Sequence, residues 1–347
     1  MPAHLLANVI RGDTIESIHR GHLTVIDGDG KTVASAGDPS TVTYFRSSAK
    51  PFQAIPFITS GAADAFGFTD DEIALACASH SGEQVHVEIV ARMLAKIGLL
   101  ESDLRCGTHP PFNETEAHRM IAAGEKPTQL HNNCSGKHVA MLGLAKHIEA
   151  DIATYDSPEN RIQKRMLRCV ADFTEIPENQ IAIGIDGCAA PNFALPVAAI
   201  AKAFINLISP SRYPEPTQKA CSRIVSAMIK YPELIGGSER LDTMLMQAAH
   251  GKLISKVGAD GVWLCGVLPS EKHPTGLGIA LKIEDGDDYR ARPVLAVEIL
   301  RRLGILSPND LADLSPMPIK NRRGEVVGKV ESHPNLFGHP FEAKTYS

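Results

Sequence analysis

Phe45-Arg46-Ser47-Ser48-Ala49-Lys50-Pro51-Phe52-Gln53 is the stretch on which the reading of this chain turns. A β-branched and aromatic run, Thr41 to Phe45, leads into it. Ser47 or Ser48 can then N-cap a helix through Phe57, with Pro51 in the first turn, where its missing N–H costs little. In such a helix Ser47 and Lys50 lie one turn apart on the same face, with Ser47 at the positive end, where a developing alkoxide is stabilised. A serine hydroxyl attacks carbonyls poorly unless a base takes its proton, and a lysine is that base only when neutral. Burial or a second nearby cation favours the neutral form. Alone, the spacing is weak evidence: average usage produces on the order of one Ser-x-x-Lys in a chain this long. The plain alternative is a capping serine with a surface lysine.

Two further motifs shift the balance. Ser79-His80-Ser81, followed by Gly82, reads as a polar loop after a helix, and Lys256-Val257-Gly258 lies on a β-prone run late in the chain. Ser-x-x-Lys, a second serine motif and Lys-x-Gly, in that order, form the active-site set of the serine β-lactamase and penicillin-binding architecture. Lys96-Ile97-Gly98 is a competing Lys-x-Gly, but it ends a helical pattern, where Gly98 serves as the C-terminal cap. The reading pairs Ser47 with Lys50 and Ser79 with Lys256 around one pocket. Two adjacent ammonium groups cannot both stay charged cheaply, which supplies a base near neutral pH without histidine. The Ser47 N–H and one just after Lys256 would hold the oxyanion.

A third constellation joins His131-Asn132-Asn133-Cys134-Ser135-Gly136-Lys137-His138 to Asp186-Gly187-Cys188-Ala189-Ala190-Pro191-Asn192. Cys134 and Cys188 stand in polar, Gly-flanked loops, unlike the other five of the seven cysteines. They are either unremarkable loop thiols or metal ligands. With a nitrogen from Lys137 or His138 they would leave zinc a fourth position for water or substrate. Histidine is the orthodox third ligand, because lysine must first lose its proton.

Working outward, the 347 residues suit about two domains or one large core, and 44% hydrophobic with 22% charged residues is ordinary globular usage. A net charge of -5 offers no basic footprint for nucleic acid. The apolar segment Leu195 to Ile208 is interrupted by Lys202 and Asn206, so no membrane span is expected. Seven cysteines do not form a secreted disulfide framework, and the expectation is a cytoplasmic protein. Strand patterns occur at Val9 to His19, Gly21 to Ile26, Thr32 to Ala36, Ile181 to Ile185, Leu253 to Val257, Val262 to Val267, Gly278 to Glu284 and Glu325 to Glu331. Helical patterns occupy most of 70–249, with one more at Pro293 to Leu303, while Cys106 to Asn133 reads as loop. Strands at both ends with helices between predict an α+β fold, an antiparallel sheet built from both termini and flanked by helices. The expected division is 1–60 with 240–347 as the sheet lobe and 61–239 as the helical lobe.

The four motifs together, Phe45 to Gln53, Ala78 to Glu83, Asn133 to His138 and Asp186-Gly187-Cys188, resemble the rhizobial-type L-asparaginase II family over nearly the whole chain. The resemblance implies a serine β-lactamase/glutaminase-like fold, a homodimer, and hydrolysis of L-asparagine to L-aspartate and ammonia. It implies Ser47 with Lys50 and Ser79 with Lys256 as catalytic pairs, and Cys134, Lys137 and Cys188 as ligands of a Zn2+ that organises the substrate. Ser47 is read as the nucleophile, Arg46 and Asp186 as partners for the substrate's carboxylate and ammonium, and Ser48, His80 and Asn133 as further substrate contacts. Rival readings are a glutaminase or β-lactam-type acyl hydrolase on the same fold, a zinc-hydroxide hydrolase, and a non-catalytic amino-acid or zinc sensor.

Overall fold

The computed structural model describes residues 2–338. These divide into two compact units. The first takes in the described chain up to Thr43, Leu195–Ser209 and the described chain from Gln247 onward; the second is Tyr44–Ala194 with Pro210–Met246.

The strands in chain order are β1 His4–Arg11, β2 Thr14–Asp27, β3 Thr32–Ala36, β4 Val42–Tyr44, β5 Ala182–Ile185, β6 Pro191–Pro196, β7 Leu253–Val257, β8 Val262–Val267, β9 Leu277–Ile283, β10 Met317–Lys320 and β11 Val326–Ser332. An eight-stranded sheet dominates the first unit, in the order β10-β11-β1-β2-β9-β8-β7, with β3 also paired to β2. Its neighbours run antiparallel, so the sheet is built from both ends of the chain, as the pattern predicts. The run Val9 to His19 is two strands, not one: Gly12-Asp13 turns the chain between β1 and β2. With 14 residues, β2 pairs with β1 along its first half and with β3 and β9 along its second. β7 and β8 are buried at every position. Helix Val197–Ile208 covers β2, β8 and β9, and helix Ala291–Arg302 covers β1, β8 and β11, setting Val294 against Val9 and Val330.

The second unit is mainly helical. At its centre is the helix Lys50–Thr59, packed by Ser135–His147, Arg161–Thr174 and Glu215–Lys230. A helix apolar on all sides has to be a core helix, and Lys50 through Phe57 are all buried. Phe45 stacks on Phe52 (centroids 5.4 Å apart), and Phe52 meets Phe173 edge-on at 5.5 Å. The two phenylalanines that flank the Ser-x-x-Lys motif thus bolt it into the core.

Two features depart from the expected lobes. Residues 44–60 and 240–246 fall in the helical unit, because the Lys50–Thr59 helix buries its faces among helices. Residues 195–209 join the sheet unit, because their helix packs on the strands. Positions 339–347 of the expected sheet lobe lie outside the described residues. The segment read as loop holds a helix, Glu114–Ala123, capped by the Asn113 side chain. Among the described residues no helix is long and apolar enough to cross a membrane.

Lys96, in the competing Lys-x-Gly, has a structural duty. Gly98 closes its helix in the left-handed conformation (φ 62°), and Lys96 Nζ lies 2.7 Å from Glu72 Oε2. Glu72 is fully buried and also bonds Arg92 at 2.8 Å. Burial alone would raise the Glu72 carboxyl, but Lys96 and Arg92 outweigh it and hold it below the ordinary value. A depressed carboxylate contributes stability that is complete above its unfolded value near 4.5 and is lost as pH falls through the folded one. Glu72→Ala should therefore destabilise the fold by about 1–2 kcal/mol at pH 7, since it removes a buried carboxylate's charge-assisted hydrogen bonds to the partly exposed Lys96 and the exposed Arg92. In urea titrations that difference should shrink below pH 4 or so; a gap that stays constant to pH 3 would contradict this account.

Candidate functional site

The site is built from Lys50 outward. Arg46–Ala49 forms a single 3-10 turn that runs directly into the helix beginning at Lys50, with Pro51 in the first turn. Neither serine caps it. Ser48 instead turns its hydroxyl back to the Phe45 carbonyl and is fully buried. It is a bolt within the turn, and the expected substrate contact at Ser48 is corrected on that ground. Ser47 is partly exposed, and its hydroxyl makes no hydrogen bond among the described residues.

Lys50 is 1% exposed. Its Nζ reaches the Ala78 carbonyl at 2.6 Å, Ser79 Oγ at 2.8 Å and the Asn133 carbonyl at 3.2 Å. Burying a charged amine is costly unless it is fully hydrogen-bonded, and these acceptors match an ammonium's donors. The same geometry accommodates the neutral amine. Its two N–H groups would go to the carbonyls, which can only accept, leaving the lone pair for the Ser79 O–H. In the resting structure the Lys50 partner is therefore Ser79, where the sequence reading had paired it with Ser47.

Close packing creates this meeting point. A Cβ on Gly136 would stand 2.3 Å from the Leu75 carbonyl, so only glycine lets the helix Ser135–His147 settle against the end of Asp70–Ala76. That contact sets Asn133 beside the Ala78–Ser79 segment. Ser79 is 4% exposed, and its N–H donates to the Ile235 carbonyl at 2.9 Å.

His80 is fully buried. Its Nε2 lies 2.9 Å from Ser135 Oγ, whose own proton goes to the Leu130 carbonyl, and its Nδ1 accepts from the Gly82 N–H at 3.2 Å. Burial, then the positive fields of His86 and Lys50, push it well below the ordinary histidine value. With both ring nitrogens engaged, it is a neutral brace for the serine loop, and the expectation of a substrate contact is corrected. Asn133 is half-buried and contributes its carbonyl to Lys50.

Arg46 and Asp186 face each other, Nη2 to Oδ1 3.1 Å apart and partly exposed. Arg46 has a left-handed backbone (φ 52°), held by Asn192 Oδ1 accepting its N–H at 2.9 Å. The antiparallel pairing of β5 with β6 carries Asp186 and Asn192 at its turn. The result is an adjoining cation and anion next to Ser47 in the chain.

The cysteine loops also converge. Cys134 and Cys188 are buried, the Cys134 thiol bonds Cys188, and Lys137 Nζ lies 3.1 Å from Cys188 Sγ. That hydrogen bond from Cys134, followed by the Lys137 charge and a hydrogen bond from His138, pulls Cys188 far below the ordinary thiol range. The bond and burial push Cys134 up. Burial opposes the Lys137 charge, but the Cys188 field overrides it and the net shift is upward. His138 Nδ1 is engaged by the Tyr155 hydroxyl at 2.7 Å, and among the described residues no three His, Cys, Asp or Glu side chains gather in a metal-holding group. Both Lys137 and His138 therefore stand beside Cys188 as nitrogen donors.

Lys256 belongs to the first unit, on β7 as expected. It is fully buried, with Nζ 3.0 Å from the Val257 carbonyl.

A family model described as L-asparaginase II matches residues 7–332. The chain belongs to the L-asparaginase II family. As an asparaginase II family member it is an amidohydrolase. No curated protein matches this family member in sequence. Its fold is similar to a probable glutaminase from Bacillus subtilis complexed with 6-diazo-5-oxo-L-norleucine, at 15% identity and a TM-score of 0.36, covering 83% of this chain and 85% of that one. It is also similar to a β-lactamase from Burkholderia ambifaria, at 13% identity and a TM-score of 0.39, covering 83% and 94%.

What the sequence reading missed are main-chain groups, the Ala78 and Asn133 carbonyls, together with Asn192, which stood inside a quoted motif without a role.

Proposed function

We propose that this chain hydrolyses L-asparagine to L-aspartate and ammonia through an acyl-enzyme. The observation that carries the reading is the buried Lys50 amine held 2.8 Å from a serine hydroxyl, on the helical stretch that holds a second, partly exposed serine. A hydroxyl within hydrogen-bond reach of an amine is a proton-transfer pair of the kind that covalent catalysis by serine uses. Ser47 is the nucleophile, because it is reachable, uncommitted and at the positive end of a helical stretch. Its Oγ bonds to the amide carbon as its proton passes to neutral Lys50. The tetrahedral intermediate collapses, the C–N bond breaks, and the nitrogen takes the Ser79 proton, which Lys50 replaces. Ammonia leaves. Water, giving its proton to Lys50, then attacks the ester, and Lys50 returns that proton to the Ser47 oxygen as the C–O bond breaks and aspartate is freed. Arg46 takes the substrate's α-carboxylate and Asp186 its ammonium, an adjoining pair that matches an amino-acid zwitterion. Lys256 remains the fourth catalytic residue on its motif.

A second reading makes Ser79 the nucleophile, favoured by its direct bond to Lys50. The discriminating experiment follows ammonia release from asparagine and glutamine and hydrolysis of a chromogenic β-lactam. Asparagine should be preferred to glutamine by about 10-fold or more, within what one methylene supplies in a fitted pocket. Preference for glutamine would replace the substrate; no release from either amide would leave the sensor.

Cys134, Cys188 and Lys137 fit zinc in donor chemistry: two sulfurs and one amine, buried and in contact. When bound, zinc would supply Lewis-acid polarisation of a substrate oxygen. Because the Ser/Lys chemistry is complete without it, stripping metal with a chelator should raise KM by about 10-fold while kcat falls less than about threefold. Steady-state kinetics before and after zinc is restored would check this, and loss of all turnover on chelation would favour the zinc-hydroxide rival.

A further inference from the structure

Beyond the motif residues, one side chain reaches the Lys50 amine through a single intermediary. His109 lies in the stretch between Cys106 and Asn113 that has no helix or strand. Its Nδ1 is 2.7 Å from the Pro110 carbonyl. A carbonyl only accepts, so Nδ1 carries the proton and Nε2 keeps a lone pair. That lone pair accepts the Asn133 N–H at 3.0 Å. On the other side of the same α-carbon, the Asn133 carbonyl takes the Lys50 amine at 3.2 Å.

The imidazole is itself braced. It stacks on Phe112, with centroids 4.6 Å apart and planes 15° from parallel, and the Arg240 guanidinium stands 5.4 Å from the Phe112 ring centre. Asn113 fastens the stretch to the serine loop, its N–H donating to the Ser81 carbonyl at 3.0 Å and its Nδ2 to Glu83 Oε1 at 3.1 Å. A held acceptor therefore points at the residue whose carbonyl fixes one N–H of the base.

We infer that His109 is a positioning residue: by fixing the Asn133 main chain it keeps the Lys50 amine aimed at the Ser79 hydroxyl. This rests on the reading of Lys50 as the base. It predicts an effect on the chemical step, because His109 does not touch the Arg46–Asp186 pair that would bind the substrate.

Leucine at 109 keeps bulk but offers no acceptor, whereas glutamine places Oε1 near the Nε2 position. On the amide the wild type hydrolyses fastest, His109→Leu should lose about 10–100-fold in kcat with KM held within about twofold. His109→Gln should recover to within about threefold of wild type. Hydrogen exchange in the peptide spanning Asn133 should quicken in the leucine variant and slow again in the glutamine one. Should the leucine variant fail to fold, His109→Asn, with its acceptor at the Nδ1 position, takes its place with the same expectation. Wild-type kcat in the leucine variant, a loss confined to KM, or no recovery with glutamine despite restored exchange protection would overturn the inference. Ser79→Ala assayed alongside separates two failures. If it is impaired and His109→Leu is not, this inference falls alone; if Ser79→Ala turns over like wild type, the Lys50–Ser79 reading falls and takes this with it.

Discussion

Ser47→Ala should lower kcat for asparagine by on the order of 10⁴-fold, and Ser79→Ala by about 10²–10³-fold, the ranges for losing a nucleophile and a proton-transfer group. The order of the two effects is the informative part. Ser47 has no hydrogen bond to lose, so its replacement should leave thermal stability unchanged and trap no acyl-enzyme. Ser79→Ala keeps the nucleophile but denies the departing nitrogen its proton, so its residual rate should rise with substrates whose leaving group is easier to expel than ammonia, such as an asparagine anilide. Mass spectrometry of protein quenched during turnover provides the check. An acyl adduct on the peptide carrying Ser79, or a Ser47→Ala variant that keeps wild-type kcat, would transfer the nucleophile's role to Ser79.

Lys50→Met should cost about 10³-fold in kcat, within the range for a general base. Lys50→Arg is the sharper variant. A guanidinium keeps the charge and the donors for the Ala78 and Asn133 carbonyls, but it cannot give up its proton in a protein. Were Lys50 only a structural clamp, arginine would restore activity; as a base it should not. The methionine variant leaves two carbonyls without donors, at about 1–3 kcal/mol of stability, so kinetics must be read well below its melting temperature. Recovery of more than a tenth of wild-type kcat in the arginine variant would end the case for Lys50 as base.

The fold was largely legible because its signals are local. β8 and the helix Gln84–Ile97 match the sequence pattern to the residue, since each is bounded by a turn or a capping glycine. The strand Pro191–Pro196 was hidden by its prolines, and the helix Glu114–Ala123 by the polar character of a surface helix with Met120 as its buried residue. In the site, motif order singled out Ser47, Lys50, Ser79 and the cysteine loops as candidates. It could not reveal which hydroxyl the amine touches at rest, because that depends on how one helix packs on another. Nor could it show that Lys137 and His138 both lie beside Cys188, the latter with the Tyr155 hydroxyl on one ring nitrogen. Ser48 and His80 were misjudged for a common reason: a polar residue beside a catalytic one serves equally well as internal scaffolding, and only burial tells the two apart.

The absent side chain at Gly136 has an evolutionary corollary. Asn133 lies shortly before it and Lys137 immediately after, so any bulk there would displace the carbonyl bonded to Lys50 and the amine beside the thiols in one movement. Variation cannot retune one of these centres at that point while sparing the other. Variation on the Cys188 loop should instead be felt at the Arg46 turn, whose N–H Asn192 holds.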